Sequence, residues 1–325
     1  MKVLVTGATG FIGSELTRQL LAQGREVRIL RRAASRLDLL GEAARHVDHA
    51  VGDVTEPHSL LKSMEGVRQV YHAAAYVGVG GHRDQALLHR VNVVGTANVV
   101  NAALKTDIER LVHTSSIAAL GRPEQRDTRI DETIPWHSSR LNTAYAISKH
   151  NAELEIHRGI AEGLDAVMVN PSLVFGVGRP GENTRQIVEK VRDGRLPAIP
   201  TGGTNAVDVQ DVAAGHLRAM ERGKTGERYM LSSENLSWKT LIETLAGALG
   251  VSPPRFTLSP GAALAFASLS EGMAFVLRRP PRFTREIARQ TARSYTYDNR
   301  KAVAELGCSF RPFAATAARI AEAIG

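Results

Sequence analysis

The sequence predicts an α/β fold, with a doubly wound parallel sheet and a smaller C-terminal α/β lobe. Three observations predict it. Short apolar strands alternate with helical stretches through the first half, a glycine-rich turn follows the first strand, and the alternation loosens after residue 170. Such alternation is typical of parallel strands joined by right-handed helical crossovers. A chain of 325 residues is long enough for a sheet domain and a further lobe.

The predicted elements follow one another in a regular order. Strands are expected at 2–6, 26–30, 47–51, 70–72, 111–114 and 166–170, and long helices at 84–105 and 143–162. Glycines and prolines are frequent between residues 176 and 203. A helix at 209–221, a strand at 229–231 and a helix from 237 that Gly250 ends follow them. We therefore expect one domain over 1–170, with residues 205–230 returning to it, and a second lobe mainly over 171–325.

The composition limits the functional classes. The formal net charge is +8, but the basic residues are mixed with acids and form no strip with aromatic residues, so nucleic-acid binding is not expected. The single cysteine, Cys308, excludes an internal disulfide and suits a reducing cytoplasm. No signal peptide is predicted, because the first apolar run is only a strand long. No metal site is predicted.

The most apolar stretch is Leu258–Leu277. Glycine, serine and glutamate residues interrupt it, so it is too polar for a membrane-spanning helix and is interpreted as one or two core helices. A role at a membrane surface stays open, because four arginines follow this stretch. They are Arg278, Arg279, Arg282 and Arg285.

Three glycines at a spacing of three residues follow the first strand. Gly7 permits a tight turn, Gly10 lets the backbone approach a pyrophosphate, and Gly13 lets the next helix pack against the strand. The N-terminus of that helix offers free N–H groups to an anion. The pattern predicts a dinucleotide site, and its expected contacts are Gly7, Thr9, Gly10, Phe11, Ile12 and Gly13.

Two arginines, Arg31 and Arg32, follow the second strand. A carboxylate there would hold the ribose hydroxyls of NAD, whereas an arginine pairs with the 2′-phosphate of NADP. The first acid after this strand is Asp38. We therefore predict NADP, with NAD possible as cofactor and a solvated basic turn as the alternative interpretation.

Tyr145 and Lys149 lie four residues apart on a predicted helix, and so project from one face. A phenol has a pKa near 10, and a neighbouring ammonium group lowers it. The tyrosine can then exchange a proton with a carbonyl or alcohol oxygen while a nicotinamide cofactor carries the hydride.

These motifs resemble those of the extended short-chain dehydrogenase/reductase family, also described as NAD-dependent epimerases and dehydratases. TGATGFIG at residues 6–13 is similar to the family's cofactor motif. The order of Ser115-Ser116, Tyr145 and Lys149 along the chain is similar to that of the family's catalytic triad. The resemblance implies a Rossmann-type fold and makes Ser116 the triad serine, with Ser115 as second choice. It covers nearly the whole chain, most securely residues 1–230.

The same resemblance implies further cofactor contacts. They are Asp53 and Val54 at the adenine, the small residues Ala73, Ala74 and Ala75, Asn92, Thr114, Tyr145, Lys149, and the turn Pro171, Ser172, Leu173 and Val174. Asn92 would anchor a polar network, and His72 is interpreted as structural. Pairing of helices 84–105 and 143–162 between two copies would give a homodimer, which is implied by the family.

Within the family, the chain most resembles the dihydroflavonol 4-reductase-like branch. That branch implies NADP-dependent reduction of an aldehyde or ketone. Epimerisation or dehydration of a nucleotide sugar stays an alternative, and a non-catalytic NADP sensor or scaffold is another. The loops 77–84, 122–142 and 175–204 and the apolar helices after Leu258 would bind the small-molecule substrate in a largely apolar pocket.

Overall fold

The computed structural model describes residues 1–78, 82–123, 129–139, 141–182, 184–276 and 284–324. The strands β1 to β14 are, in order, Lys2–Thr6, Glu26–Arg31, Asp48–Val51, Gln69–His72, Arg110–Thr114, Arg129–Ile130, Ala166–Pro171, Leu173–Phe175, Ile199–Pro200, Gly203–Asp208, Arg228–Leu231, Glu234–Ser237, Thr257–Leu258 and Thr296–Tyr297. The helices α1 to α12 are Phe11–Ala22, Pro57–Met64, His82–Leu88, Gly95–Leu104, Ala144–Ala161, Arg185–Arg192, Val209–Arg222, Trp238–Ala248, Pro260–Val276, Arg285–Thr291, Arg300–Leu306 and Phe313–Ile324.

Seven parallel strands form the central sheet, in the order β11-β7-β5-β4-β1-β2-β3. The order reverses on either side of β1, which makes the sheet doubly wound and confirms the predicted fold class. The central strands are almost wholly buried, because both faces of a parallel sheet are covered by helices. All six strands predicted in the first half are present, within one residue at each end.

Two apolar cores lie on the two faces of this sheet. On one face α1 and α7 pack together, with Leu16 and Leu20 of α1 in the same cluster as Val212 and Leu217 of α7. On the other face α2, α4 and α5 cover the sheet. The later segment that carries α7 and β11 thus contributes to the central sheet. A third core joins α6, α8 and α12 around Phe175 and Phe313.

The helix predicted over 84–105 is divided. A π-helical turn at His89–Val94 separates α3 from α4. Asn92, in this turn, donates to the carbonyl of Tyr76 and accepts from its N–H, at 3.0 and 2.7 Å. Single π turns recur at functional sites, and this one holds the chain that leaves β4. The helical periodicity of residues 84–105 does not predict this π-helical turn.

The apolar stretch after Leu258 is a helix, α9, but it is not a core helix. Its small residues Ala263 and Ala267 are buried against α10, whereas Phe266, Leu269 and Met273 are more than half exposed. Burial of only the small residues leaves the large ones on the surface. Arg278, Arg279 and Arg282 lie outside the described residues. Within the described ranges, no helix has both the length and the apolar character needed to cross a membrane.

Candidate active site

The glycine turn joins β1 to α1 at the carboxyl edge of the sheet. Gly7 has φ of +72°, a left-handed conformation that glycine adopts without strain. A Cβ on Gly7 would also lie 2.5 Å from the backbone of Ala73 and Ala74. A Cβ on Gly13 would overlap the carbonyl of Gly7. The glycine turn and the segment after β4 therefore pack backbone against backbone, with no room for a side chain at Gly7.

Helix α1 begins without a side-chain cap. Gly10 occupies the N-cap position and makes no side-chain hydrogen bond there. The first N–H groups of the helix, at Phe11, Ile12 and Gly13, have no partner within the helix. These groups and the helix dipole form an anion site, so the residues present fit the pyrophosphate of a dinucleotide.

A segment after β8 closes over this turn. Arg179 donates to the carbonyl of Thr9 at 2.7 Å and to both oxygens of Asp38 at 2.8 and 3.0 Å. The ring of Phe11 contacts Gly176 and Gly178 in the same segment. We call residues 176–182 the clasp, because Arg179 fastens them to the glycine turn and to the loop after β2.

Arg31 and Arg32 lie where β2 ends. Arg31 donates to Nδ1 of His49 at 2.9 Å, whereas Arg32 is exposed and makes only backbone contacts. Asp38 pairs with Arg36 and Arg179, whose charges lower its pKa although its partial desolvation raises it. The only acid of this loop is thus already paired with two arginines.

Asp53 and Val54 follow β3, as the sequence predicted for the adenine end. One oxygen of Asp53, Oδ1, accepts from the N–H and the hydroxyl of Thr55, both at 2.9 Å. The carbonyl of Val54 accepts from Asn98 at 3.0 Å, and its side chain is buried. These bonds fix the loop at the edge of the sheet.

His72 is held by a chain of hydrogen bonds. The hydroxyl of Thr96 donates to the carbonyl of Asn92 at 2.6 Å, and so accepts from Nε2 of His72 at 3.0 Å. Nδ1 of His72 then accepts from Thr6 at 2.7 Å, and Thr6 accepts from the N–H of Ala74 at 3.3 Å. Burial lowers the pKa of His72 to about 3, so it stays neutral. The bonding supports a structural role for this histidine.

Asn92 also bonds to α5, the helix that carries Tyr145 and Lys149. Its Nδ2 donates to Oγ of Ser148 at 2.9 Å, and Ser148 donates to the carbonyl of Tyr145 at 2.8 Å. The π turn is thus tied to the first turns of α5. Tyr76, the other partner of Asn92, follows Ala73, Ala74 and Ala75 in the predicted cofactor segment. Ser148 was not predicted, because a helical serine carries no signal of such a bridge.

Ser116 and Tyr145 come together at the carboxyl end of β5. The side chain of Ser116 accepts from the N–H of Ala118 at 3.1 Å and caps a short 3₁₀ turn. Burial raises the pKa of the Tyr145 phenol above its usual value, although the nearby Ser116 side chain lowers it. The hydroxyl of Ser115 instead lies buried, with no partner among the described residues. Of the two serines, Ser116 is the one that lines the cavity together with Tyr145.

Lys149 lies one turn after Tyr145 and is buried. Its ammonium group donates to the carbonyl of Thr114 at 2.7 Å. Burial lowers the pKa of Lys149 to about 8, although the charge of Glu153 raises it. The expectation that the ammonium lowers the pKa of Tyr145 is not met in this structure, because burial and Ser116 set that pKa.

Two further groups hold this site, and the sequence did not predict them. His216 of α7 donates from Nδ1 to the carbonyl of Val212 and accepts at Nε2 from the hydroxyl of Thr114, both at 2.7 Å. Asn170 at the end of β7 donates to the carbonyl of Ser116 and to Glu153. Their partners are distant in sequence, so only the fold brings them together.

A cavity of about 430 Å³ opens beside Ser116 and Tyr145. Ser172 and Leu173, from the predicted Pro171–Val174 turn, line it. Helix α9 does not line the described wall, contrary to the prediction, whereas Ile287 of α10 does. The wall is mainly apolar and aromatic, but it also holds Arg122, Arg289 and Arg293. Such a cavity is large enough for a small-molecule ligand.

Fold and site together define a dinucleotide-binding oxidoreductase. The sheet, the uncapped helix after the glycine turn and the Ser116, Tyr145 and Lys149 group all lie at one edge, where ligands bind in doubly wound folds.

The comparisons with known proteins identify the family. The model of the NAD dependent epimerase/dehydratase family matches residues 3–232, and the chain belongs to this family. It is therefore an NAD(P)-dependent enzyme of the extended short-chain dehydrogenase/reductase type.

Its relatives cover nearly the whole chain. A Synechocystis protein named provisionally as a dihydroflavonol 4-reductase is 38% identical over 93% of this chain and 88% of its own. Sterol demethylase protein B of Methylococcus capsulatus is 34% identical over 94% and 93%. The crystal structure of gox2253 has a TM-score of 0.84 at 35% identity and covers 98% of this chain and 96% of its own. The predicted family resemblance is confirmed.

Proposed function

We propose that the protein reduces an aldehyde or ketone with NADPH, using Ser116, Tyr145 and Lys149. The observation that carries this proposal is that Ser116 and Tyr145 line the same cavity, while Lys149, one turn after Tyr145, is held at the end of β5. Because burial raises the pKa of Tyr145, the side chain is a neutral phenol at neutral pH. A neutral phenol is the form that can protonate a developing alkoxide.

Each residue has a distinct part in this reaction. NADPH supplies the hydride when bound. Ser116 donates a hydrogen bond to the carbonyl oxygen and holds it beside Tyr145, and the phenol then gives its proton to that oxygen. Lys149, fixed by the carbonyl of Thr114, would hold the nicotinamide ribose. Asn92 and Ser148 position the turn of α5 that carries Tyr145.

The choice of NADPH over NADH follows from the loop after β2. Arg31 and Arg32 lie at the end of the strand, and Asp38 is engaged by Arg36 and Arg179. A guanidinium group pairs well with a phosphate. The name of the Synechocystis relative, a dihydroflavonol 4-reductase, agrees with a reductase.

Two other functions are weighed against this one. Epimerisation or dehydration of a nucleotide sugar is the alternative, since the family includes such enzymes. In β10, where such enzymes tend to place an arginine, this chain has Thr204, Asn205 and Ala206, and the amide of Asn205 donates to Asn235. A sensor or scaffold without catalysis is the second alternative, and the assembled Ser116, Tyr145 and Lys149 speak against it.

The test is a screen of NADPH oxidation against aldehydes, ketones and nucleotide sugars. We expect turnover of one or more carbonyl compounds, and Tyr145→Phe should lower it by about 10²–10⁴-fold. Cofactor affinity should weaken in Lys149→Met and stay unchanged in Tyr145→Phe, because only the lysine is expected to contact the nicotinamide ribose. Retention of more than about a tenth of the activity in Tyr145→Phe would contradict the assigned proton donor.

We also propose that the protein acts as a homodimer in the cytoplasm. The support for the dimer is the family resemblance and an apolar face on α5. Ile147 and Leu154, seven residues apart, are 45% and 52% exposed on that helix. The support for the cytoplasm is the cysteine content, since Cys308 is a free, buried thiol.

A further inference from the structure

The wall of the catalytic cavity carries positive charge without acidic partners. Among the described lining residues there are three arginines and no carboxylate. Asp84 lies beside the lining residue Gly78, but it accepts the hydroxyl of Tyr76 at 2.7 Å. Many arginines elsewhere in the chain pair with an acid, as Arg110 does with Asp165 and Arg319 with Asp208. The cavity therefore differs from the rest of the surface in its charge.

Arg122 follows Ser116 by six residues and lines the cavity. A Cβ on Gly121 would overlap the carbonyl of Pro135, so the backbone before Arg122 is fixed closely against that segment. The side chain donates from one terminal nitrogen to the carbonyl of Leu141 at 3.1 Å, four residues before Tyr145. Its Nε is buried and has no partner in the part of the chain that the structure describes.

Arg293 faces the cavity from the opposite segment. Its carbonyl accepts from the N–H of Gly203 at 3.0 Å, and that of Thr291 accepts from Gly202 at 3.0 Å. A Cβ on Gly202 would overlap both backbones, so this segment is docked on the start of β10. Arg293 is half-buried as a residue, and its guanidinium makes no hydrogen bond or ion pair with any described residue.

Arg289 is exposed at the same wall, where water screens its charge. Arg122 and Arg293 are the two less exposed arginines of the wall, and neither has an ion pair with a described carboxylate. A partly desolvated charge is costly unless it is paired, and a guanidinium pairs with a carboxylate or a phosphate in a two-pronged contact.

Two neutral groups of the wall also lack a partner. Oγ of Ser172 and Nε1 of Trp238 are buried, and neither has a hydrogen bond among the described residues. Ser172 is only 8% exposed and lies between β7 and β8, next to the catalytic end. Buried polar atoms are nearly always paired in folded proteins, so a polar atom of a ligand or a bound water would complete these two groups.

We infer that the substrate is an oxo acid, a carbonyl compound whose carboxylate is bound by Arg122 and Arg293. This inference rests on the proposed reductase function and names its substrate class. The carbonyl group lies at Ser116 and Tyr145, the apolar carbon skeleton contacts Leu88, Ile117 and Tyr295, and the carboxylate lies at the arginines.

The experiment compares acids with their methyl esters, which differ little in shape but have no charge. The pairs are 4-carboxybenzaldehyde with methyl 4-formylbenzoate, and 5-oxohexanoate with its methyl ester. We expect kcat/KM to be at least tenfold higher for the acid in one or both pairs. Arg293→Met should lower kcat/KM for the acid by about 10–100-fold and leave the ester within about twofold, as for loss of one charge-assisted hydrogen bond.

Arg255→Met is the matched control, because Arg255 is exposed and does not line the cavity. Arg255→Met should change kcat/KM for neither the acid nor the ester. Equal or faster reduction of the esters by the wild-type protein would overturn the oxo-acid inference and leave the reductase intact. If neither acid nor ester is reduced, the oxo-acid inference is tested by the binding of benzoate. Benzoate should raise the Tm of the wild-type protein more than that of Arg293→Met, and equal shifts would overturn the inference.

Discussion

Burial governs the protonation of Tyr145 and Lys149, the two side chains of α5 to which the proposed function assigns the chemistry. It raises the pKa of Tyr145 and lowers that of Lys149, so it favours the neutral form of both groups. The spacing of Tyr145 and Lys149 predicts that one charge tunes the other. The folded protein instead directs the ammonium to the carbonyl of Thr114, which the sequence does not place near Lys149.

The buried lysine gives a prediction for stability. The ordinary pKa of a lysine is 10.5, which applies to the unfolded chain, and that of Lys149 in the folded protein is about 8. Below pH 8 both states hold the proton, and the folded state bears the full cost of the buried charge. Between pH 8 and 10.5 unfolding takes up a proton, so this residue makes the protein more stable as pH rises. Lys149→Met should therefore raise the free energy of unfolding at pH 7 by about 1–3 kcal/mol.

Urea denaturation at pH 7 and pH 10 measures this effect. The gain from Lys149→Met should shrink at pH 10, where wild-type Lys149 is already neutral in the folded state. Lys62→Met, at an exposed position of α2, should show no such dependence. If Lys149→Met instead lowers the free energy of unfolding by the same amount at both pH values, burial of the lysine charge does not destabilise the folded protein.

Arg32 gives a prediction for cofactor choice. Only its main-chain groups bond to described residues, and its exposed guanidinium makes no hydrogen bond or ion pair with them, so it is available for a 2′-phosphate. We expect tighter binding of NADPH than of NADH, by about 10–100-fold for one charge-assisted contact. Arg32→Ser should reduce that ratio, and Arg45→Ser, an exposed arginine paired with Glu42, should not. Fluorescence titration with both cofactors measures the ratio of their affinities. Equal or tighter binding of NADH would refute the predicted preference for NADPH.

At the scale of the element, the sequence predicts most of the sheet and the long helices. The strands are predictable because β-branched apolar runs end in glycine or polar turns, as in Lys2–Thr6. The π turn at His89–Val94 is not predictable from the sequence, because it accompanies the hydrogen bond between Asn92 and Tyr76, a contact across a loop. The clasp is not predictable either, since Arg179 meets Asp38 across 141 residues.

The clasp gives a prediction for cofactor release. Arg179 fastens it to Thr9 and Asp38, over the turn that is expected to hold the pyrophosphate. Arg179→Gln should loosen residues 176–182 and raise the dissociation rate of NADPH several-fold. Arg192→Gln, at an arginine of α6 that pairs with Asp193, is the control. Stopped-flow fluorescence and hydrogen exchange of the clasp measure the effect, and no change in both contradicts it.

At the scale of the whole molecule, the apolar face of α5 predicts the dimer. Leu87 and Val94, both 40% exposed and also seven residues apart, add to Ile147 and Leu154. Ile147→Glu or Leu154→Glu should give a monomer by light scattering at micromolar concentration. Leu269→Glu, at a residue of α9 that is 63% exposed, should leave the mass unchanged. A wild-type protein of monomeric mass would refute the dimer.

The pairing of α1 with α7 has a consequence for synthesis on the ribosome. Helix α1 ends at Ala22, and α7, which covers it, ends at Arg222. At 5–20 residues per second, the 200 residues between them take about 10–40 s to translate. During that time Leu16, Leu20 and one face of the growing sheet lack the cover that α7 provides. We therefore expect chaperones to bind the nascent chain at that face, and a fragment that stops at residue 170 to aggregate when it is expressed alone.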